Sequence, residues 1–182
     1  MSKAFTRESD TEEELSPLPE MPTGVRNYIT PAGYLALQEA LRALTEQSAI
    51  ASDMQVDQDG EKTTLTGSDH SARDIDQHVH YLRARIDSAE VVDPAVHAGN
   101  DQIFFGTTVT YRDESDDTHV VTIVGLDELD PANGRISWLS PVAQALLNAH
   151  EGDTVELDGP AGLTQLKIIA VAYPHSDLQS SG

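Results

Sequence analysis

The sequence predicts an antiparallel helical coiled-coil hairpin followed by a small α+β domain. Three observations predict it: two apolar stripes that mirror each other, a switch near residue 103 to short β-branched runs, and a length of 182 residues, enough for one medium domain or two small ones.

The first stripe is Tyr34, Leu37, Leu41, Leu44, Ser48, Ala51, and the second is Ala72, Ile75, Val79, Leu82, Ile86, Ala89. Both advance by alternating steps of three and four, the spacing of a coiled-coil seam. Folded back antiparallel, they set Tyr34 against Ala89, Leu37 against Ile86, Leu41 against Leu82 and Leu44 against Val79 without a position out of step. Thr30-Pro31 reads as an N-cap followed by proline at the first helical position, and the first helix runs to about residue 51. The second starts at Ser68 or Asp69 and runs to Val91, stopped by Asp93-Pro94. Flanking positions are largely polar: Glu39, Arg42, Glu46 and Gln47, then Asp74, Gln77, His78, Arg83 and Arg85. A rod projecting into solvent fits this pattern. The alternative is two helices of an ordinary bundle, with Ala36, Ala40 and Ala43 supplying a wider contact.

From residue 103 the period changes. Residues 103–112 and 118–126 read as a hairpin across the charged turn 113–117. Asp130 to Gly134 turns the chain into a short strand at Ile136 to Trp138. Ser140-Pro141 opens a helix through Asn148 with Val142, Ala145 and Leu146 facing the core. Two more strands flank the Gly159-Pro160-Ala161-Gly162 turn, giving an antiparallel sheet of about five strands covered by one helix. The expected boundaries are an acidic flexible tail over 1–25, the hairpin over 26–98 with a tip loop at 52–71, the sheet domain over 99–175 and a frayed end at 176–182. Val25 to Ile29 are expected to lie against the folded body.

Eleven Lys and Arg stand against thirty-one Asp and Glu, a formal net charge of −20, which repels free nucleic acid and anionic membrane. Work beside DNA or RNA therefore requires another protein to hold the chain there. Cysteine is absent, which excludes disulfides, thiolate catalysis and thiolate-bound zinc. With no apolar leader and no run near the length of a membrane span, a cytoplasmic monomer is expected, with no membrane partner.

Candidate chemistry is sparse. Asp57, Asp59 and Glu61 alternate, so an extended segment places them on one side, where they could share a Mg²⁺ whose other ligands come from elsewhere; the plainer reading is a solvated acidic turn. A private calcium loop is excluded: with Gly60 sixth, Gln55 would be first and Thr66 twelfth. His78 and His80 diverge by roughly 200° on a helix and cannot meet on one metal. Phe104 and Phe105 read as packing residues, since no bases interleave them. No complete active site is present, and any catalysis needs a partner to complete it.

Residues 73–173 resemble the bacterial GreA/GreB transcript-cleavage factors, on the GreB side. The resemblance is carried by RDIDQHVHYLRARIDSAEVVDP, FFGTTVTY, VVTIVGLDELDPANGRISWLSPVAQALL, GDTVELDGPAG and IIAVAYP, with Tyr28 to Tyr34 and the N-terminal SKAFTRE adding to it. It implies an FKBP-like sheet domain that docks at the rim of the RNA polymerase secondary channel, and a coiled coil that enters the channel. It further implies that two tip acids help hold the second catalytic Mg²⁺ while the polymerase hydrolyses backtracked RNA at its 3′ end. On that resemblance Asp57, Asp59 and Glu61 are the expected catalytic and metal-holding residues. The ion would be shared only within the polymerase complex, with no tightly bound cofactor and no enzyme activity of the chain's own. The resemblance also implies roles in transcription regulation and DNA binding, and indirect contact with the nascent RNA.

The tip departs from the family pattern. Alignment backward from Arg73-Asp74-Ile75-Asp76 puts Glu61 on the second tip acid and Gln58 on the first, between Asp57 and Asp59. Residues 34–89 hold ten acids against five bases, where the family often carries a basic patch. A channel binder that acts by occupancy, without cleavage, is the alternative these features raise; a generic adaptor with no polymerase role is a third.

Overall fold

A computed structural model of the chain describes residues 22–53, 68–160 and 162–174. Most of the expected tail, most of the tip loop and the frayed terminus lie outside the described residues.

A three-residue strand β1 (Asn27–Ile29) leads into α1 (Pro31–Asp53), and α2 (Ser68–Ser88) returns into β2 (Ala89–Val91). The Thr30 hydroxyl accepts from Gly33 N at 3.1 Å, the N-cap the sequence implied. At 1.5 Å per residue α1 is about 35 Å long. On α1 the partly shielded positions from Tyr34 to Ser48 are Tyr34, Leu37, Leu41, Leu44 and Ser48, the seam alone, while Ala36, Ala40 and Ala43 are exposed. That decides against the bundle: α2 is the helix α1 packs on, and the outer face meets water.

α2 is shorter than its pattern predicts. The chain leaves the helix at Ser88 because Ala89–Val91 pairs in parallel with Asn27–Ile29, and Val92 N continues the ladder to Ile29 O at 2.8 Å. Ile29 is fully buried. The expectation that Val25 to Ile29 lie on the body thus holds through a specific strand pairing. A 3-10 turn at Pro94–His97, capped by Asp93, then leads to the base.

The base is a five-stranded sheet in the order β5-β4-β3-β7-β6, built from β3 (Thr108–Arg112), β4 (Thr118–Val124), β5 (Arg135–Ser137), β6 (Thr154–Gly159) and β7 (Gly162–Ala172), with α3 (Pro141–Leu146) on one face. Alternate residues Val109 and Tyr111, Val121 and Ile123, and Leu166 and Ile168 point inward and close on Ile103, Ala143 and Leu146, the period of a half-buried strand.

Four details differ from the sequence reading. β3 begins at Thr108, because Gly106 (φ +82) turns against the Pro94 ring where a Cβ would clash. The sheet is not wholly antiparallel: β5 runs parallel to β4, since the crossover from Gly125 to Gly134, with 3-10 turns at Leu126–Glu128 and Pro131–Asn133, brings the chain back in the same direction. α3 ends two residues early, with Asn148 in the left-handed region at φ 70. Its fully buried residues are Ala143 and Leu146, so Ala143 occupies the place expected of Ala145.

Candidate functional site

Asp57, Asp59 and Glu61 lie outside the described residues. The described helices lead toward them: α1 runs to Asp53 and α2 resumes at Ser68. What the structure does define is the opposite end of the rod, where both helices are fastened to the base.

Two consecutive acids of the Leu126–Glu128 turn make the fastening. The Asp127 carboxylate accepts from Arg85 Nε at 2.7 and 3.0 Å, and both side chains are 6 % exposed. The Glu128 carboxylate, 2 % exposed, accepts from Thr30 N at 2.9 Å, from the Thr30 hydroxyl, from Gly125 N at 3.3 Å and from Arg135 Nη2 at 3.0 Å. Asp127 therefore grips the last turn of α2 and Glu128 the N-cap of α1. Burying two carboxylates is tolerable because each meets a guanidinium or several donors. The approach is close: a Cβ on Gly33 would overlap the Glu128 carboxylate, and one on Gly125 would overlap Tyr28 O.

Polar and aromatic contacts complete the joint. Asn27 Nδ2 donates to Arg85 O at 3.0 Å and to Ser88 Oγ at 3.2 Å. Tyr28 packs edge-on against Trp138 at 5.1 Å between ring centroids and against Phe105 at 6.0 Å. Burial raises the pKa of the Tyr81 phenol, and Arg85, 5.8 Å from its ring centroid, partly offsets this.

Phe105 thus packs between rod and base, and Phe104 stacks on His97 at 4.2 Å, as their lack of interleaved bases suggested. His78 Nδ1 lies 3.0 Å from Asp74 O on its own helix. His70 and His175 have no described side-chain environment. Among the described residues no three His, Cys, Asp or Glu side chains form a group fit to hold a metal. A cleft of 620 Å³ between the root of α1, Pro94 and the sheet is lined by Pro31, Ala32, Thr108, Thr122 and Val124, with Asp93 and Arg135 contributing charge. It brings together no nucleophile with a base. Among the described residues no helix is long and apolar enough to cross a membrane.

Sequence reasoning missed Asp127, Glu128 and the burial of Arg85, which it placed on the solvated flank. Acids in a Gly-Leu-Asp-Glu turn look like any exposed turn. The available signal was Arg85 itself, on the row Tyr81 and Arg85 beside the seam in the last turn of α2.

The described residues form a two-helix rod clamped by its root to a sheet-and-helix base. Residues 98–173 match the family profile described as transcription elongation factor, GreA/GreB, C-terminal. The chain is 37% identical over 162 residues to transcription elongation factor GreB of Neisseria meningitidis serogroup B, a match spanning 84% of this chain and 98% of that protein. It is 35% identical over 155 residues to transcription elongation factor GreA of Desulfovibrio desulfuricans, spanning 81% and 94%. Among solved structures, the elongation factor GreA/GreB from Nitrosomonas europaea aligns at 24% identity over 82% of this chain and 99% of that one, with a TM-score of 0.37. The chain belongs to the GreA/GreB family of transcription elongation factors.

Proposed function

We propose that the chain binds RNA polymerase with its base at the rim of the secondary channel, inserts the rod, and stimulates hydrolytic cleavage of backtracked RNA through Asp57, Asp59 and Glu61. The observation that supports this most is the rod itself. Among the described residues it has one seam, polar flanks in water and a fastening at the root, which suits a narrow passage and not a folded core. The three carboxylates are hard oxygen donors of the kind Mg²⁺ takes, and too few to enclose it alone. Shared with the polymerase's own ligands, the ion lowers the pKa of the attacking water and offsets charge on the phosphoryl group. The chain's part is to bring carboxylates to that place and hold them.

One observation favours the occupancy reading. Arg42 is paired with Glu46 at 3.0 Å and Arg85 is buried against Asp127. That leaves Arg73 and Arg83 as the cations of the described helices outside any ion pair among the described residues, little attraction for RNA.

A purified, backtracked elongation complex separates the two readings. The full-length protein should accelerate release of a short 3′ RNA, and the Asp57→Ala/Asp59→Ala/Glu61→Ala variant should bind equally well and lose that effect. Tight binding by the unaltered protein with no cleavage would leave occupancy as the function.

A further inference from the structure

We infer that Asp127 and Glu128 are positioning residues that set the direction of the rod relative to the base, and so the place its far end reaches. This rests on the proposed delivery of the tip to a polymerase, but its geometric half stands on the free protein.

The two acids are neighbours on one short turn of the base, yet each grips a different helix. Glu128 meets α1 at its first residues through the Thr30 amide and hydroxyl, and Thr30 in turn caps the helix through Gly33 N. Asp127 meets α2 in its last turn through both oxygens. One anchor would leave the rod free to swing or roll about it. Two anchors on two helices remove both motions. Hydrogen bonds to carboxylates are directional where apolar contacts slide, and the Gly33 and Gly125 contacts leave no slack for a shift toward the base.

Arg135 holds Glu128 from the base side at 3.0 Å, so the carboxylate is held by the base as well as by the hairpin. The β1–β2 pair does not fix the angle to the base, since both strands belong to the hairpin. The lever makes the angle matter. Over the roughly 35 Å of α1, a tilt of about 10° moves the far end by about 6 Å, whereas a working carboxylate has to be placed within about 0.5 Å. Apolar residues of similar volume would match a buried ion pair for stability alone. What the pair adds is a fixed angle.

The chain has no cysteine, so spin labels at Cys introduced for exposed Glu39 on α1 and exposed Glu156 on β6 report the rod-to-base distance directly. A second pair, at Glu39 and Arg83, reports the hairpin alone. Asp127→Asn/Glu128→Gln should broaden the first distribution and leave the second narrow. It should keep polymerase binding and reduce RNA cleavage by about 10²-fold, the effect of a misplacement of an ångström or more. Thr30→Val should act in the same direction and Thr30→Ser, which keeps the hydroxyl, should restore both readouts; these variants leave the two acids intact should the double variant fail to fold. An unchanged Glu39–Glu156 distribution would overturn the inference, and so would a broadened one with undiminished cleavage. If the unaltered protein neither binds nor activates the polymerase, the functional reading falls while the distance result still decides whether the acids aim the rod.

Discussion

Arg85→Met should loosen the joint without unfolding the base. The Arg85 and Asp127 side chains are each 6 % exposed, and the substitution leaves the Asp127 carboxylate buried beside a thioether. Removing one partner of a buried pair costs about 3–5 kcal/mol. The protein need not bear that cost by global unfolding, because separating rod from base returns Asp127 to water. The loss should therefore appear first as local opening. Amide hydrogen exchange reads it: Thr30, whose N–H crosses the joint to the Glu128 carboxylate, should exchange about 10²–10⁴-fold faster, the same free energy at 1.36 kcal/mol per decade. Ile123 and Ile168, bonded to Thr107 O and Asp153 O within the base, should hold their protection. Arg85→Met/Asp127→Leu should recover most of the Thr30 protection, since an apolar pair of similar volume often matches a buried ion pair. Equal acceleration at Thr30 and Ile168 would refute the reasoning by making joint and base one cooperative unit, and no acceleration at Thr30 would show that the pair contributes nothing there.

Leu146→Ala, at a fully buried position of α3, should destabilise the base by about 2–5 kcal/mol, read as a lower urea midpoint with an unchanged slope; a loss well under this would mean that α3 is not part of the core. Asp113 gives a pH prediction. Its carboxyl is held below the usual aspartate range, chiefly by its hydrogen bond with His119, which with the Asp117 and Ser115 amides outweighs the opposing effect of desolvation. A depressed folded pKa means the contribution to the 113–117 turn is fully present above the unfolded value of about 3.9, and is lost only as pH falls through the lower, folded one. Carboxyl-carbon NMR should show Asp113 titrating below the usual aspartate range and moving up toward it in His119→Ala; an unmoved midpoint would refute the assignment.

The seam was legible in the sequence because its determinants are local. In a two-helix rod every buried position repeats at three or four residues, and no third element blurs the pattern. The same holds for the inward residues of β3, β4 and β7, which follow a period of two. What escaped is set by long-range pairing. Ala89–Val91 continues a good helical pattern and becomes a strand only because Asn27–Ile29, some sixty positions away, offers a ladder. The direction of β5 depends on how the 125–134 crossover folds. Buried Asp127 and Glu128 carry no composition signal, since an acid reads the same in a solvated turn and in a clamp; only the spatial arrival of Thr30 and Arg85 separates the two.

Burial along the rod is uneven, and its direction bears on how the molecule works. Ile29 at the root is fully shielded and Arg85 in the last turn of α2 is buried, Leu82 and Val79 are shielded a turn or two further out, and Ile75 beyond them is only partly covered. On α1 every seam residue from Tyr34 to Ser48 is partly covered. Hydrophobic stabilisation follows the area removed from water, so on α2 Val79 and Leu82 contribute more than Ile75, while Ile86 and the α1 seam are partly covered. An angular error at the root is multiplied by the whole length of the rod, whereas a displacement near the far end is not. A chain that places two close-packed glycines, the buried Arg85–Asp127 pair and the buried Glu128 carboxylate at the root has put stiffness where the lever is longest. A single seam is then enough for the remainder, which in the proposed complex would be guided by the walls of the channel.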